Sequence, residues 1–220
     1  MKKRIMLLGD SVRMFYTDKV KNKLGSDYEV WAPNENGRFA KYTLNTLRHW
    51  IPEFPEPDVI HWNNGLWDVG VFYEDEGCFT GIDEYIETLG RILCQLKKTN
   101  AKIIFATTTP VRPEKAFLSP TNHAIHRNSD IELYNKHAVE FMKNNDVTVN
   151  DLYSLISNDL YKYVGNGDTD IIHPSALGVD VLSDAVASCI IDVCRDLKTT
   201  LKNQKSPKAQ KTVLDEMHMQ

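Results

Sequence analysis

The apolar run Ile5-Met6-Leu7-Leu8 stops abruptly at Gly9-Asp10-Ser11. Four consecutive apolar residues between a basic segment and a glycine fit a buried strand better than a helix. Beyond Ser11 the pattern turns helical, with Val12, Phe15, Val20 and Leu24 spaced mostly by three to five. A strand that halts at a glycine and runs straight into a helix places Ser11 at the carboxyl end of a sheet, the edge where open α/β sheets carry their sites. Two readings stand side by side. Asp10 or Ser11 caps the helix, since both are good caps. Alternatively, Ser11 is a nucleophile whose neighbouring helix N-terminus offers N–H groups and a positive dipole end to an oxyanion.

The same alternation continues down the chain. The patterns predict strands over 4–8, 28–31, 58–62, 102–106 and 147–149. They predict helices over 11–24, 42–51, 82–98, 129–143 and 175–201, with a short helix after Asp151. Pro52, Pro55 and Pro57 are expected to end the second helix and hold an extended entry to the third strand. Near-continuous apolar strands alternating with helices predict a three-layer α/β/α sandwich around a five-stranded parallel sheet, joined by right-handed crossovers. Two long loops, 63–81 and 107–128, follow strand carboxyl ends, and loops of that length are often functional.

Bulk properties narrow the function classes. A chain of 220 residues with 42% hydrophobic and 25% charged content reads as one globular domain, over 1–201. The Lys- and Gln-rich tail, 202–220, reads as flexible or as a short docking helix. A net charge of −4 gives no pull toward nucleic acid or anionic membranes. No apolar stretch approaches a membrane span, and no cleavage site follows the first apolar run, so a cytoplasmic location is expected. Cys78, Cys94, Cys189 and Cys194 form no CxxC pair and no zinc-type cluster, so neither a disulfide nor a structural metal is expected. Cys94 and Cys189 sit in apolar helical patterns and read as small core residues.

Chemistry collects in three further stretches. In Asp168-Thr169-Asp170-Ile171-Ile172-His173-Pro174, Asp170 and His173 stand three apart in a turn. There a carboxylate can hold the imidazole with its second nitrogen outward, the arrangement of a general base. A loop histidine that merely follows an aspartate is the competing reading. After the third strand, Asn63-Asn64-Gly65-Leu66-Trp67-Asp68 offers amide donors for an oxyanion, or simply a turn. After the second, Asn34-Glu35-Asn36-Gly37-Arg38 offers a Gly37 N–H, or simply a residue free to take positive φ. No glycine-rich loop is present and Gly9-Asp10-Ser11 is too short to cradle phosphates, which speaks against a nucleotide-binding protein on the same sheet; no cofactor is expected.

Taken together, Ser11 after the first strand, Gly37 after the second, Asn after the third and Asp170-x-x-His173 before the last helix resemble the SGNH (GDSL-type) hydrolases over roughly 5–193. Gly9-Asp10-Ser11 matches the nucleophile block, although Val12-Arg13 departs from its usual continuation. His173-Pro174-Ser175-Ala176-Leu177-Gly178 continues as in many members. Glu35-Asn36, the Asn63-x-Gly-Leu-x-Asp run and Thr107-Thr108-Thr109-Pro110-Val111 look most like a branch with carbohydrate-esterase relatives. The third block departs from the family's Gly-x-Asn-Asp: its Asn position is Trp67. Asn63, at the strand end, is the expected substitute, with Asn64 as runner-up.

The resemblance implies the flavodoxin-like SGNH fold and a serine esterase with Ser11, His173 and Asp170 as triad. Its oxyanion hole would come from Ser11, Gly37 and Asn63. The substrate expected is a small soluble ester, an acetylated sugar for example, contacted by Asp10, Trp67 and Arg112. Trp62, Trp67, Phe72, Tyr73 and Phe79 are candidates for sugar stacking or an acyl pocket, or for core. Arg112, His123, His126 and Arg127 are candidates for an anionic substrate group, or for a solvated loop. The alternative function is a non-hydrolytic protein on the same scaffold, an acyltransferase or a carbohydrate- or partner-binding protein.

Overall fold

The computed structural model describes residues 2–72, 77–113, 124–167 and 170–204, the last seven of these by backbone alone. Tyr73, His123, Asp168 and most of the 202–220 tail lie outside the described residues.

Among the described residues, five strands form one sheet: β1 (Lys3–Leu8), β2 (Tyr28–Trp31), β3 (Val59–Trp62), β4 (Lys102–Ala106) and β5 (Thr148–Asn150). Their order is β2-β1-β3-β4-β5, and every pairing is parallel. Ile5 sits opposite Val30 on one side and Val59 on the other, and Ile60 opposite Ile103. The run Ile5–Leu8 is completely buried, as a central strand covered on both faces must be.

Seven α-helices among the described residues cover the sheet: α1 (Ser11–Leu24), α2 (Ala40–Glu53), α3 (Ile82–Lys97), α4 (Asn128–Asn144), α5 (Leu152–Ile156), α6 (Leu160–Tyr163) and α7 (Ala176–Gln204). The step from β1 to β2 runs one way across the sheet and every later step runs the other. Right-handed crossovers therefore put α1 on one face and α2, α3 and α4 on the opposite one. α7 packs along α1, while α2 packs on α3 and α3 on α4. The order reverses at β1, so the crevice between the carboxyl ends of β1 and β3 is the switch point where such sheets bind ligands.

Three local differences have physical causes. α2 continues to Glu53 with Pro52 inside its last turn. Pro52 forfeits one backbone bond there, and its fixed φ is already helical. Cys94 is exposed, because the buried stripe of α3 is Leu89, Ile92, Leu93 and Leu96 and Cys94 points away from it. β5 is shifted by one residue to 148–150, because Asn150 pairs with Ala106 of β4 and its buried amide meets His61 Nε2 at 3.2 Å. No helix among the described residues is long and apolar enough to cross a membrane.

Candidate active site

The Gly9-Asp10-Ser11 turn is built from three residues with separate tasks. Gly9 has φ +156°, and a Cβ there would collide with Asn63 Oδ1 and lie 2.9 Å from Arg13 Cβ. Only glycine lets β1 and the loop after β3 approach this closely. Asp10 is the N-cap of α1: its Oδ1 accepts the Val12 N–H at 3.0 Å. Since the cap is Asp10, Ser11 enters the first helical turn with its hydroxyl uncommitted to capping.

The partner loop arrives from the other end of the chain. The Gly165 N–H donates to His173 O at 2.7 Å and the Arg112 N–H to Ile171 O at 2.9 Å, which fixes the loop between α6 and α7. Asp170 Oδ1 accepts the N–H groups of Ile172 and His173, both at 3.0 Å. Its Oδ2 accepts the His173 Nδ1–H at 2.8 Å. With Nδ1 protonated, Nε2 accepts the Ser11 hydroxyl at 2.8 Å. Burial alone would raise Asp170, but the hydrogen bonds from the His173 and Ile172 N–H groups and from the His173 ring hold its carboxyl below the usual value. Ser175 Oγ accepts the Gly178 N–H at 3.1 Å and caps α7 directly behind His173. Ion pairs Lys19–Asp180 and Lys23–Asp184 then tie α1 to α7, the two helices that flank the hydroxyl and the imidazole.

The donors around Ser11 differ from expectation. The Gly37 N–H is committed to Gly9 O at 2.9 Å, and a Cβ on Gly37 would sit 2.6 Å from that oxygen. Gly37 thus clips the loop after β2 onto the Gly9-Asp10-Ser11 turn, and its N–H is already committed. Asn64 is also ruled out as a donor. It is 0% exposed, its Oδ1 accepts the Trp62 indole N–H at 2.6 Å, and its Nδ2 donates to Arg38 O and Thr43 Oγ1, both at 3.0 Å. Asn63 lies against Gly9, buried, with its Oδ1 where a Gly9 side chain would stand. Its backbone N–H meets Leu8 O at 3.2 Å. That leaves the Ser11 N–H, at the start of α1, and the side-chain amide of the buried Asn63, which lies against Gly9, as the expected donors with no partner named above.

The expected substrate contacts separate as well. Asp10 is 1% exposed, turned into the protein; burial raises its carboxyl, against the Val12 N–H it accepts. Trp67 is half-buried beside the third block. The Arg112 guanidinium stacks over Tyr161 and fills the space where a Gly165 side chain would stand, so it braces the Asp170–His173 loop. His126 Nε2 donates to Leu66 O at 2.9 Å, and Arg127 pairs with Asp130 at 3.6 Å. His126 and Arg127 are thus held by partners within the protein, whereas Arg112 Nε is buried with no hydrogen-bond partner. Trp62 is core, whereas Phe72 and Phe79 are exposed and their ring centroids lie 5.3 Å apart. Phe79 also meets Phe39 at 5.4 Å.

Two residues, Arg13 and Phe15, escape a reading of motifs, and the role of Asp68, quoted above in the third block, emerges only in the fold. Arg13 is buried and its guanidinium donates to Pro33 O at 3.0 Å and Glu35 O at 2.6 Å, a second tie between the β2 loop and the Gly9-Asp10-Ser11 turn. Its only signal is the departure at Val12-Arg13. Asp68, fully buried, accepts the Ala40 N–H with both oxygens, at 3.2 and 3.0 Å, and so anchors the start of α2. Phe15 stacks on His173, with centroids 4.8 Å apart and planes at 23°. His61, by contrast, is a core residue of β3, and burial pushes its imidazole down to about 3. Among the described residues no group of three or more metal-type side chains comes together.

No family model matches this chain, and no curated protein matches its sequence. Solved structures do match. A lipase/acylhydrolase from Enterococcus faecalis aligns with a TM-score of 0.67 at 17% identity, over 86% of this chain and 95% of the other. The acetyl xylan esterase AlAXEase aligns with a TM-score of 0.63 at 20% identity, over 85% and 99%. A GDSL-like lipase from Bacteroides thetaiotaomicron VPI-5482 aligns with a TM-score of 0.63 at 18% identity, over 86% and 88%. The likeness is one of fold: this chain has the α/β architecture of those hydrolases.

Proposed function

We propose that this chain, which shares the fold of GDSL-like lipases and acylhydrolases, is a serine esterase that acts through an acyl-enzyme. The observation that carries the proposal is the unbroken line from Ser11 Oγ through His173 to Asp170, with both hydrogen bonds at 2.8 Å. Ser11 Oγ attacks the ester carbonyl carbon as its proton passes to His173 Nε2, and the carbonyl π pair moves onto oxygen. Asp170 keeps the imidazole oriented and faces the imidazolium that forms. The Ser11 N–H and the Asn63 amide receive the oxyanion. Collapse breaks the bond to the alcohol, which takes the proton from His173. Water, deprotonated by the same nitrogen, then releases the acid and restores Ser11.

A short acyl group, acetyl above all, on a sugar or similar small soluble alcohol is the substrate we favour. The joined rings of Phe39, Phe79 and Phe72 stand on loops from the same sheet edge as Ser11 and supply apolar surface for the alcohol portion. The acetyl xylan esterase with the same fold is consistent with that class.

The test is hydrolysis of p-nitrophenyl acetate together with labelling by a fluorophosphonate. Wild type is expected to do both, and Ser11→Ala and His173→Ala to lose turnover. An inert, folded wild type, or a fully active Ser11→Ala, defeats the proposal. The committed Gly37 N–H favours one second reading, because a hole with fewer donors suits a protein that acylates an alcohol slowly or only binds. Labelling of Ser11 with turnover only when an alcohol acceptor is added identifies an acyltransferase, and no labelling identifies a binder.

A further inference from the structure

Phe15 occupies an unusual position for a large apolar side chain. The buried face of α1 is made by Val12, Tyr16, Val20 and Leu24, each four residues after the last. Phe15 lies off that face and is 37% exposed, so the core does not require it. It stands four residues after Ser11, one turn further along the same helix, and residues so spaced project on the same side. The ring reaches the catalytic-loop imidazole rather than the core: Phe15 and His173 stack with centroids 4.8 Å apart and planes at 23°. α1 therefore delivers the hydroxyl to Nε2 and, one turn later, an aromatic face to the same imidazole.

The chemistry of that contact changes during the reaction. Before acyl transfer His173 Nε2 faces the Ser11 hydroxyl at 2.8 Å, placed to take its proton. After Ser11 gives up its proton, the ring carries a positive charge. A benzene face, negative at its centre, attracts a cation within about 6 Å and has a much weaker preference for a neutral ring. The contact is therefore stronger when the reaction needs the imidazolium than before it. The charged groups that face His173 among the described residues are Asp170, at 2.8 Å, and the buried Asp10, whose charge also acts on the ring. Asp170 meets the imidazole at its edge, through Nδ1, whereas Phe15 lies on its face.

Building on the esterase reading, we propose that Phe15 is a positioning residue for His173: its ring holds the imidazole plane in line with Ser11 and favours the imidazolium formed in acyl transfer.

The test compares wild type with Phe15→Leu, which keeps apolar bulk without a π face, and Phe15→Trp, which restores one. Phe15→Leu is expected to leave KM and the melting temperature near wild type and to lower kcat roughly two- to five-fold, the equivalent of one exposed cation–π contact. The acid limb of its kcat/KM profile is expected to move to lower pH by roughly half a unit, since the imidazolium has lost a stabilising neighbour. Phe15→Trp is expected to hold both values. An unchanged kcat and pH profile in Phe15→Leu overturns the proposal, as does a Phe15→Trp that falls as far as Phe15→Leu. A change confined to KM overturns it too and makes Phe15 a substrate contact instead. A second readout stands apart from turnover: titration of His173 by NMR, assigned with His173→Ala, is expected to show the same half-unit drop in Phe15→Leu. If wild type proves catalytically inert, that titration still decides the role of Phe15, while the esterase reading fails separately.

Discussion

Replacing Asp68 by Asn is expected to make the protein more stable at neutral pH, although it removes a buried hydrogen-bonded carboxylate. Asp68 is 0% exposed. Burial, opposed by hydrogen bonds from Thr80 and the Ala40 N–H and reinforced by the nearby Asp10, pushes its carboxyl from 3.8 up to about 7. The folded protein therefore holds a proton between those two values that the unfolded chain has lost. Stability contributed by Asp68 is fully present below pH 3.8 and is lost as the pH rises toward 7. Roughly three pH units, at about 1.36 kcal/mol each, amount to about 4 kcal/mol across that window. The amide of Asp68→Asn keeps an oxygen for the Ala40 N–H but does not ionise. Urea unfolding of both proteins, followed by circular dichroism at about pH 4.5 and about pH 8, checks this. The variant should gain about 3 kcal/mol on wild type between the two conditions, a shift of roughly 6–12 °C in melting temperature for a chain of this size. The opposing force is the positive end of α2, which Asp68 faces through Ala40 and which favours the carboxylate. A stability difference that does not change with pH, or one that moves in favour of wild type as the pH rises, refutes the reasoning and makes the helix terminus the larger effect.

Asn63→Ala should lower kcat by about 10²–10³-fold with KM little changed, the usual loss for one oxyanion donor. Asn64→Ala is the paired control, expected to lower the melting temperature more than kcat because it strands Trp62 Nε1. Gly37→Ala should cost about 1–3 kcal/mol of stability and most of the activity, since its Cβ meets Gly9 O at 2.6 Å and forces the clip open. Steady-state kinetics and thermal melts on the same samples separate these outcomes.

The sheet was legible because its signals are local. Ile5–Leu8 and Val59–Trp62 are apolar runs too short for helices, and parallel strands buried on both faces are written in that way. The Asp170–His173 pairing was legible for the same reason: three residues of a turn suffice to set it, and both Asp170 oxygens are engaged within that turn. Pro52 misled because a proline ends a helix only where its missing N–H or its ring matters, and in a last turn it need not.

Which N–H groups near Ser11 remain uncommitted was not legible, and the cause is physical. A donor is useful only if nothing else has taken its hydrogen, and that depends on loops remote in sequence. Gly37 reads as an available N–H until the β2 loop lies against Gly9, 28 residues earlier, and the bond at 2.9 Å consumes it. Asn64 reads as equal to Asn63 until Trp62, Arg38 and Thr43 close around its amide. Phe15 fails to be seen for the converse reason. Counting apolar residues assigns it to the core stripe of α1, yet the stripe advances by fours from Val12 and leaves Phe15 beside it. Spacing from Ser11 rather than from Val12 was the informative count. A side chain four residues after one in a helix's first turn projects on the same side, and here that side chain, Phe15, stacks on His173. An aromatic residue at that position is a candidate partner of the base on spacing alone.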